Sequence, residues 1–394
     1  MNQAETLTPV LSRWQQRALI IGVIALALCG AGAFLSSTQF FRSYLFGYLF
    51  WLGLTLGSFA LLALHHMVGG GWGFSIQRML ESGTRTLPLM IVLLLPLAFG
   101  VKELYLWAQP EVIAQDKLLQ HKVPYLNISF FAIRTAVYFA IWGIFIFWLN
   151  RWSKRQDENG DAALSTKLRH LSGPALVIYV LTLTFASVDW VMSLDPHWFS
   201  TIYGVLFVVG NGLLTLAFVI VAAVLLAQHK PLSEVMEAKH FHDLGNLMFA
   251  FVLLWAYVSF SQFLIIWSGN LPEEIPWYLH RMHGGWQWLA LALVLFHFAL
   301  PFVFLLSRKA KRRVEVLRKV ALWMIAMRFI DLFWLIAPSF HAERLTVHWL
   351  DIVAPAGIGG LWLAYFVWQL KDRALLPLHD PRLEIAFSHK EHQH

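Results

Sequence analysis

The chain has 394 residues, of which 58% are hydrophobic and 13% are charged, and its mean hydropathy is +0.59. Soluble globular chains carry about 25% charged residues, so this composition argues against a soluble enzyme, a secreted disulfide scaffold and a disordered chain. Lys and Arg exceed Asp and Glu by seven, which in a soluble protein would suggest a nucleic-acid partner. In a chain this apolar, the basic residues are first tested as signals of topology. The composition predicts a polytopic all-α membrane protein with no nucleic-acid partner.

The single cysteine, Cys29, limits the redox chemistry that the chain can hold. One cysteine forms no intrachain disulfide, and it builds neither a Cys-ligated iron–sulfur cluster nor a C-x-x-C-H haem attachment. The polar N-terminus, 1–17, is followed by an apolar run longer than the roughly 7–15 residues of a signal-peptide core. We therefore expect this first run to be retained as a membrane helix.

Ten apolar runs are long enough to cross a bilayer, which takes about 20 mostly apolar residues in a helix. The third run is interrupted by Pro88, Pro96, Lys102 and Glu103. Proline is tolerated in a membrane helix when neighbouring groups satisfy the freed backbone. In chain order the predicted spans are Ala18–Ser36, Tyr44–Met67, Leu87–Leu106, Asn127–Leu149, Gly173–Leu194, Thr201–Gln228, Leu244–Ser268, His283–Leu306, Val320–Phe340 and Val347–Leu370.

The 30 Lys and Arg residues are distributed unevenly between the two sides of these spans. The two termini and the loops after even-numbered spans carry 22 of them, the loops on the other side carry six, and two lie within spans. The positive-inside rule predicts that both termini face the cytoplasm. We expect a single integral membrane domain over 1–394, of which 371–394 is a polar cytoplasmic tail.

Two charged residues within the fourth and fifth predicted spans are candidates to pair. Arg134 lies seven residues into the fourth span and Asp189 lies about as deep in the fifth, so both are about 8–10 Å from the same membrane boundary. An ionisable side chain at membrane depth costs about 2.5–3.5 kcal/mol on the insertion scale. The two residues form either a structural ion pair between adjacent helices or part of a proton path.

A second charged pair lies near the middle of the ninth predicted span. Arg328 and Asp331 share one helix face at spacing i, i+3, and an intrahelical ion pair lowers the cost of inserting both charges. A carboxylate at this depth is a candidate proton carrier, and His297 in the eighth span would extend the path. The alternative is a structural pair beside a hydrogen-bonded core histidine.

Acidic residues and histidines occur at helix ends on the side predicted to face outward. Asp195, His197 and His283 are candidates for a quinol pocket, because quinol oxidation releases two protons that such groups can accept. Capping and hydration of the helix ends is the alternative interpretation. No metal site is predicted from these residues.

Haem b would need two histidines at one depth on facing helices. His65 and His66 lie near the end of the second predicted span, whereas His297 lies nearer mid-membrane. These depths do not match, so the sequence argues against a haem bound by this chain.

Four segments carry a resemblance to one known family. They are HHMVGGGWG at 65–73 with Arg78 and Glu81 following, the stretch from Pro124 to Tyr138, SVDWVMSLDPHWFST at 187–201, and WY at 277–278 with RMHGGW at 281–286. Together they resemble the F subunit of bacterial alternative complex III, a quinol:cytochrome c (or oxidase) oxidoreductase. The resemblance covers nearly the whole chain, and the segment 187–201 is its most specific part.

The resemblance implies a fold, a location and a set of partners. The fold would be two four-helix bundles beside a peripheral helix pair, related to the membrane anchors of polysulfide and nitrite reductases. The location would be the bacterial cytoplasmic (inner) membrane. The partners would be a second ten-helix membrane subunit, an iron–sulfur subunit and multihaem cytochrome c subunits, which would hold the haem and iron–sulfur centres.

For this chain, the resemblance implies a scaffolding subunit that holds no cofactor of its own apart from a quinone or quinol, and that either binds quinone or conducts protons. Arg134, Asp189, Asp195 and His197 match the family motifs, but no residue is assigned a catalytic role. The alternative from another class is a stand-alone secondary transporter, because midplane charges and broken helices are also typical of transporters.

Overall fold

The computed structural model describes residues 4–377 and 379–383, which form helices and loops with no strand among them. Ten helical segments are long and apolar enough to cross a membrane, which confirms the predicted number and the all-α class. In chain order, spans 1 to 10 are Leu7–Leu35, Ser37–Val68, Gly71–Phe99, Ile128–Asn159, Ala163–Leu194, Tyr203–Leu226, Ala238–Gly269, Trp286–Leu306, Val314–Ser339 and Leu350–Lys371.

The spans pack as two groups of four and one pair. Spans 2 to 5 pack on one another, spans 6 to 9 do the same, and contacts between spans 2 and 6 join the two groups. Spans 1 and 10 pack side by side along span 2. The most apolar part of span 2 is 89% buried within the chain, whereas that of span 1 is 17% buried. Span 2 therefore forms the centre of the core, and span 1 lies at its edge.

Small residues allow spans 1 and 10 to approach closely. Gly22 lies against Gly360, and a Cβ on either glycine would collide with the backbone of the other span. A polar contact joins the start of span 1 to the end of span 10, because Lys371 Nζ donates to Gln15 Oε1 at 2.5 Å. We call the side of the molecule with this contact the terminal face, and the other side the opposite face.

Span 3 differs from its predicted bounds, because it begins at Gly71 rather than at Leu87. The added helix carries Glu81, which is fully buried and accepts hydrogen bonds from Arg78 Nη1 at 2.7 Å and from Arg373 Nη1 at 2.9 Å. These ion pairs neutralise the charges that lower the hydropathy of the segment. Arg373 lies almost 300 residues away in the chain, so the hydropathy of a local window does not reveal the compensation.

The segment after span 10 folds back onto the terminal face. The carboxylate of Asp380 accepts a hydrogen bond from Ser165 Oγ at 3.3 Å, at the start of span 5. Leu375 and Leu376 are buried on the way to this contact. The remainder of the predicted tail, 384–394, lies outside the described residues.

Candidate functional site

Arg134 and Asp189 form a closed ion pair between spans 4 and 5. Arg134 Nε and Nη2 each donate to one oxygen of the Asp189 carboxylate at 2.9 Å, which is the bidentate geometry of strong pairs. Tyr138 donates its hydroxyl to the same carboxylate at 2.7 Å, and Arg134 Nη1 donates to the backbone oxygen of Tyr125 at 2.9 Å. Asp189 is fully buried. The structure therefore confirms the predicted pairing of these two residues.

Two aromatic rings cover the Arg134 guanidinium, which lies toward the opposite face of the molecule. The guanidinium carbon lies 3.9 Å from the centroid of the Tyr125 ring and 4.3 Å from that of Phe130. Rings in this position attract the cation and exclude water from it. All three guanidinium nitrogens are engaged and two aromatic rings cover the cation, so the pair is held in one geometry.

Arg328 and Asp331 form the second predicted pair, within span 9. Arg328 Nη1 donates to Asp331 Oδ2, and Trp255 Nε1 of span 7 donates to the same oxygen at 3.2 Å. Gly210 of span 6 makes room for the guanidinium, because a Cβ at this position would collide with it. Arg328 Nε has no hydrogen-bond partner among the described residues. This pair is therefore buried but incompletely satisfied.

His297 lies beside this pair, in a seven-residue π-helical segment, Leu293–Ala299, of span 8. Its ring centroid is 4.0 Å from that of Trp255, and neither ring nitrogen has a hydrogen-bond partner among the described residues. Pro301 follows the segment and lacks the N–H that would bond the preceding turn, which favours the wider winding. Trp323 Nε1 donates to the freed backbone oxygen of Phe296 at 2.8 Å. π-Helical turns are often found at functional sites.

A cavity of about 660 Å³ opens between spans 6 to 9 and reaches this pair. Its lining is mostly apolar and aromatic, with a few polar groups at its two ends. Asp331 lies at the inner end, and the loop before span 8 closes the end toward the opposite face. The aromatic, polar and charged residues of the lining include Trp255, Gln262, Tyr278, Arg281, Asp331 and Trp334.

Arg281 lines the cavity because it caps the end of span 9. Its guanidinium donates to the backbone oxygens of Trp334 at 3.3 Å and Leu335 at 2.9 Å, which belong to the last turn of that helix. A cation is favourable at a helix C-terminus. The side chain is 1% exposed and forms no ion pair within 4 Å among the described residues. Burial lowers the pKa of Arg281 to about 10, so the group remains charged at neutral pH.

Two neutral polar groups stand beside Arg281. Gln262 Nε2 of span 7 donates to the Tyr278 hydroxyl at 3.4 Å, and Ser200 Oγ donates to Gln262 Oε1 at 3.4 Å. Burial raises the pKa of Tyr278 to about 12, so its hydroxyl remains a hydrogen-bond donor at neutral pH. The cavity thus offers donors at one end and a carboxylate at the other.

The three residues predicted for a quinol pocket do not meet in this cavity. Asp195 accepts a hydrogen bond from Ser339 Oγ at 2.7 Å, His197 Nε2 lies 2.5 Å from Asp116 Oδ2, and His283 is exposed to solvent. None of the three lines the cavity. The sequence indicated that the three residues share one side of the membrane, but Asp195 bonds the end of span 9 and His197 lies against the loop before span 4.

The proton-path candidates likewise divide into two sets. Asp331, Arg328 and His297 lie together at the cavity, whereas Arg134 and Asp189 form their own closed pair between spans 4 and 5. Sequence reasoning missed Arg281, Gln262, Tyr278 and Trp255 as site residues. The available signals were the glutamine within an apolar run and the segments WY at 277–278 and RMHGGW at 281–286, which entered the resemblance without a site role for Arg281 or Tyr278.

Among residues 4–377 and 379–383, no group of three or more His, Cys, Asp or Glu residues is placed to hold a metal ion. No protein-family model matches the chain, and no curated protein matches it.

Proposed function

We propose that this chain is an integral, non-haem subunit of a respiratory quinol:cytochrome c (or oxidase) oxidoreductase in a bacterial inner membrane, with both termini cytoplasmic. It scaffolds a second ten-helix subunit, an iron–sulfur subunit and multihaem cytochromes c. Its own chemical role is to bind quinol between spans 7, 8 and 9 and to accept a proton from it. The observation that supports this proposal is the aromatic-lined cavity that ends on Asp331.

The size and surroundings of the cavity suit a lipid-soluble ring compound. Small-molecule sites usually have volumes of about 300–1,000 Å³ and are lined mainly by apolar and aromatic side chains. The lining also includes strongly exposed apolar residues, among them Tyr257, Phe260 and Val294, which are 68%, 61% and 56% exposed. In a membrane these residues face lipid, so a ligand with an isoprenoid tail reaches the cavity sideways from the bilayer.

The polar ends of the cavity match the two oxygens of a quinol. The Tyr278 hydroxyl supplies a donor for one ring oxygen, and Asp331 supplies an acceptor for the hydroxyl at the other. Arg281 adds its positive charge beside the first oxygen, since each of its nitrogens already donates to a backbone oxygen. Oxidation of one quinol to quinone releases two electrons and two protons. Asp331 accepts one proton from the ring hydroxyl that it contacts, the second proton passes from the other hydroxyl to water at the end of the cavity toward the opposite face, and both electrons pass to a redox centre in a partner subunit.

The test uses the complex as purified from its native membrane. The expected result is co-purification with cytochrome c and iron–sulfur subunits and with bound quinone. A cavity-filling variant, Ala290→Trp, is expected to weaken quinol binding about tenfold or more without disturbing the subunit composition. Val303→Trp places the same side chain on span 8 at a 67% exposed position outside the cavity, and quinol binding should be unchanged.

Two outcomes would overturn the proposal in different ways. Quinone bound only to partner subunits, with equal turnover in Ala290→Trp and Val303→Trp, would remove the quinol site and leave a scaffolding role. A chain that purifies without cytochromes and moves a solute in liposomes would instead be a secondary transporter. The π-helical break beside a midplane charge pair is the feature that favours this second candidate.

A further inference from the structure

A second cavity, of about 200 Å³, lies on the terminal face, far along the chain from the quinol cavity. It is formed by the end of span 2, the first turns of span 5 and the segment after span 10. Its volume corresponds to several water molecules, since each occupies about 30 Å³ in the liquid. The side chains that line it include Met67, Val68, Ser165, Thr166, Arg169 and Arg382.

The charge on this cavity is positive. Arg169 is exposed and forms no ion pair among the described residues. Arg382 is held in place, because Nε and Nη2 donate to the two oxygens of Asp380 at 3.1 and 2.8 Å and Nη1 donates to the backbone oxygen of His66 at 3.2 Å. Asp380 balances the charge of Arg382, so the positive charge comes from Arg169, and Arg382 adds the two N–H groups of its five that these bonds leave free. Two guanidinium groups on one small cavity are the arrangement that proteins use for phosphate.

The hydroxyl groups and backbone of span 5 add to this preference. Ser165 and Thr166 lie in the first turn of a 28-residue helix, and both line the cavity. A helix N-terminus carries partial positive charge and favours an anion nearby. The carboxylate that faces this region, Asp380, is already engaged: burial opposes its ionisation, but the hydrogen bonds from Arg382 outweigh burial and hold its pKa below the usual value.

The depth of the cavity points to the membrane surface. Val68 is 69% exposed and Met67 is 39% exposed, so apolar side chains flank the cations. The apolar run of span 5 begins at Gly173, four residues beyond Arg169, which is about 6 Å along the helix. Cations at this level meet the phosphates of lipid headgroups, and the apolar flank meets their acyl chains.

We propose that this cavity binds the phosphate group of an anionic phospholipid, held between Arg169 of span 5 and Arg382 of the segment after span 10. The lipid thereby fastens that segment to the start of span 5. The proposal is independent of the quinol cavity, since the two sites share no lining residue.

The test measures lipid binding to the purified complex by native mass spectrometry and by thermal unfolding. Phosphatidylglycerol, uncharged phosphatidylcholine and inorganic phosphate are added separately. We expect retention of phosphatidylglycerol and a raised Tm with this lipid only. Arg169→Gln should weaken phosphatidylglycerol binding about fivefold, which is the effect of one cation at a membrane surface. Arg169→Lys should retain most of the binding.

The control is Arg151→Gln, which removes an exposed cation near the same face but outside the cavity. It should leave binding as in the wild type. Equal binding by Arg169→Gln and the wild type would overturn the proposal, as would equal losses in Arg169→Gln and Arg151→Gln. If inorganic phosphate raised the Tm as much as phosphatidylglycerol does, the cavity would be a site for a soluble anion, and the proposal of a bound phospholipid would be overturned.

Discussion

The Arg134–Asp189 pair and the Arg328–Asp331 pair are both buried, and they differ in how fully their hydrogen-bonding groups are used. The first joins two helices through two parallel hydrogen bonds at 2.9 Å, with a tyrosine hydroxyl on the carboxylate and two rings over the cation. The second lies within one helix, with a tryptophan on one carboxylate oxygen, and its arginine Nε has no hydrogen-bond partner in the described part of the chain.

Their surroundings differ in the same direction. Asp189 lies in the packed interface of spans 4 and 5 and lines none of the cavities described above. Asp331 lines the largest cavity described and lies near His297, whose ring nitrogens have no hydrogen-bond partner within 4–377 and 379–383. Burying an ion pair rarely adds net stability, but breaking one is costly because it leaves a lone charge in a low dielectric. A closed pair therefore maintains structure, whereas an open pair beside a cavity is available to a ligand or a proton.

The largest expected effect is at the closed pair. Asp189→Asn leaves the Arg134 cation without a counter-charge, and we expect a loss of about 3–5 kcal/mol in the free energy of unfolding. The measurement is unfolding in mixed detergent micelles. Glu158→Gln is the control, because its exposed partner Lys154 lies 3.9 Å away and surface pairs contribute little. If both variants lost the same stability, the closed pair would not be a structural element.

The next effect is at the open pair. Asp331→Asn is expected to cost about 1–3 kcal/mol, because Asp331 lines the cavity, where water or a ligand can hydrogen-bond beside the substituted side chain. The same variant should abolish proton transfer from quinol, whereas the closed pair should affect activity only through stability. The checks are unfolding and single-turnover quinol oxidation in the assembled complex. Full proton release with Asp331→Asn would remove this residue from the path.

The open pair is also held in place by a small residue. Gly210→Ala puts a methyl group against the Arg328 guanidinium, and overpacking of this kind costs about 1–2 kcal/mol. The matched control is Gly173→Ala in span 5, where no atom lies within 4 Å of the added Cβ. Unfolding of the two variants gives the comparison directly. Equal stability would show that the guanidinium is free to move, and that Gly210 does not fix its position.

The sequence predicted what depends on short stretches of chain. Hydropathy gave ten spans, depth paired Arg134 with Asp189, and the i, i+3 spacing paired Arg328 with Asp331. It missed what depends on distant packing. The start of span 3 carries Glu81, whose charge is neutralised by Arg373 from a distant part of the chain. The hydropathy of a short sequence window therefore does not detect this part of the span.

The cavity was missed for the same reason. Its walls come from four spans and a loop, and Arg281 enters it only because the guanidinium caps the end of span 9. From the sequence alone, Arg281 is one charge among six in the loops of its side. The same side of the membrane was predicted for Asp195, His197 and His283, and their chemistry suits proton uptake. A shared side of the membrane does not place side chains in contact, and the partners of Asp195 and His197 lie in different parts of the chain.

The smallest expected effect is that of a substitution at His197. This substitution distinguishes a quinol site in the cavity from a quinol site at the residues predicted on the opposite face. The pKa of Asp116 is lowered, first by the backbone N–H of Leu119 and then by the His197 side chain. The stability that this carboxylate contributes is therefore present above its ordinary pKa of 3.8, and it is lost as the pH falls through the lowered pKa. At pH 7 the carboxylate is charged with or without the histidine. His197→Gln removes only the second of these causes, and the Leu119 N–H remains bonded to the carboxylate at 3.2 Å. Tm and quinol turnover at pH 7 should therefore match the wild type, and a large loss of turnover at unchanged Tm would move the quinol site from the cavity to the opposite face.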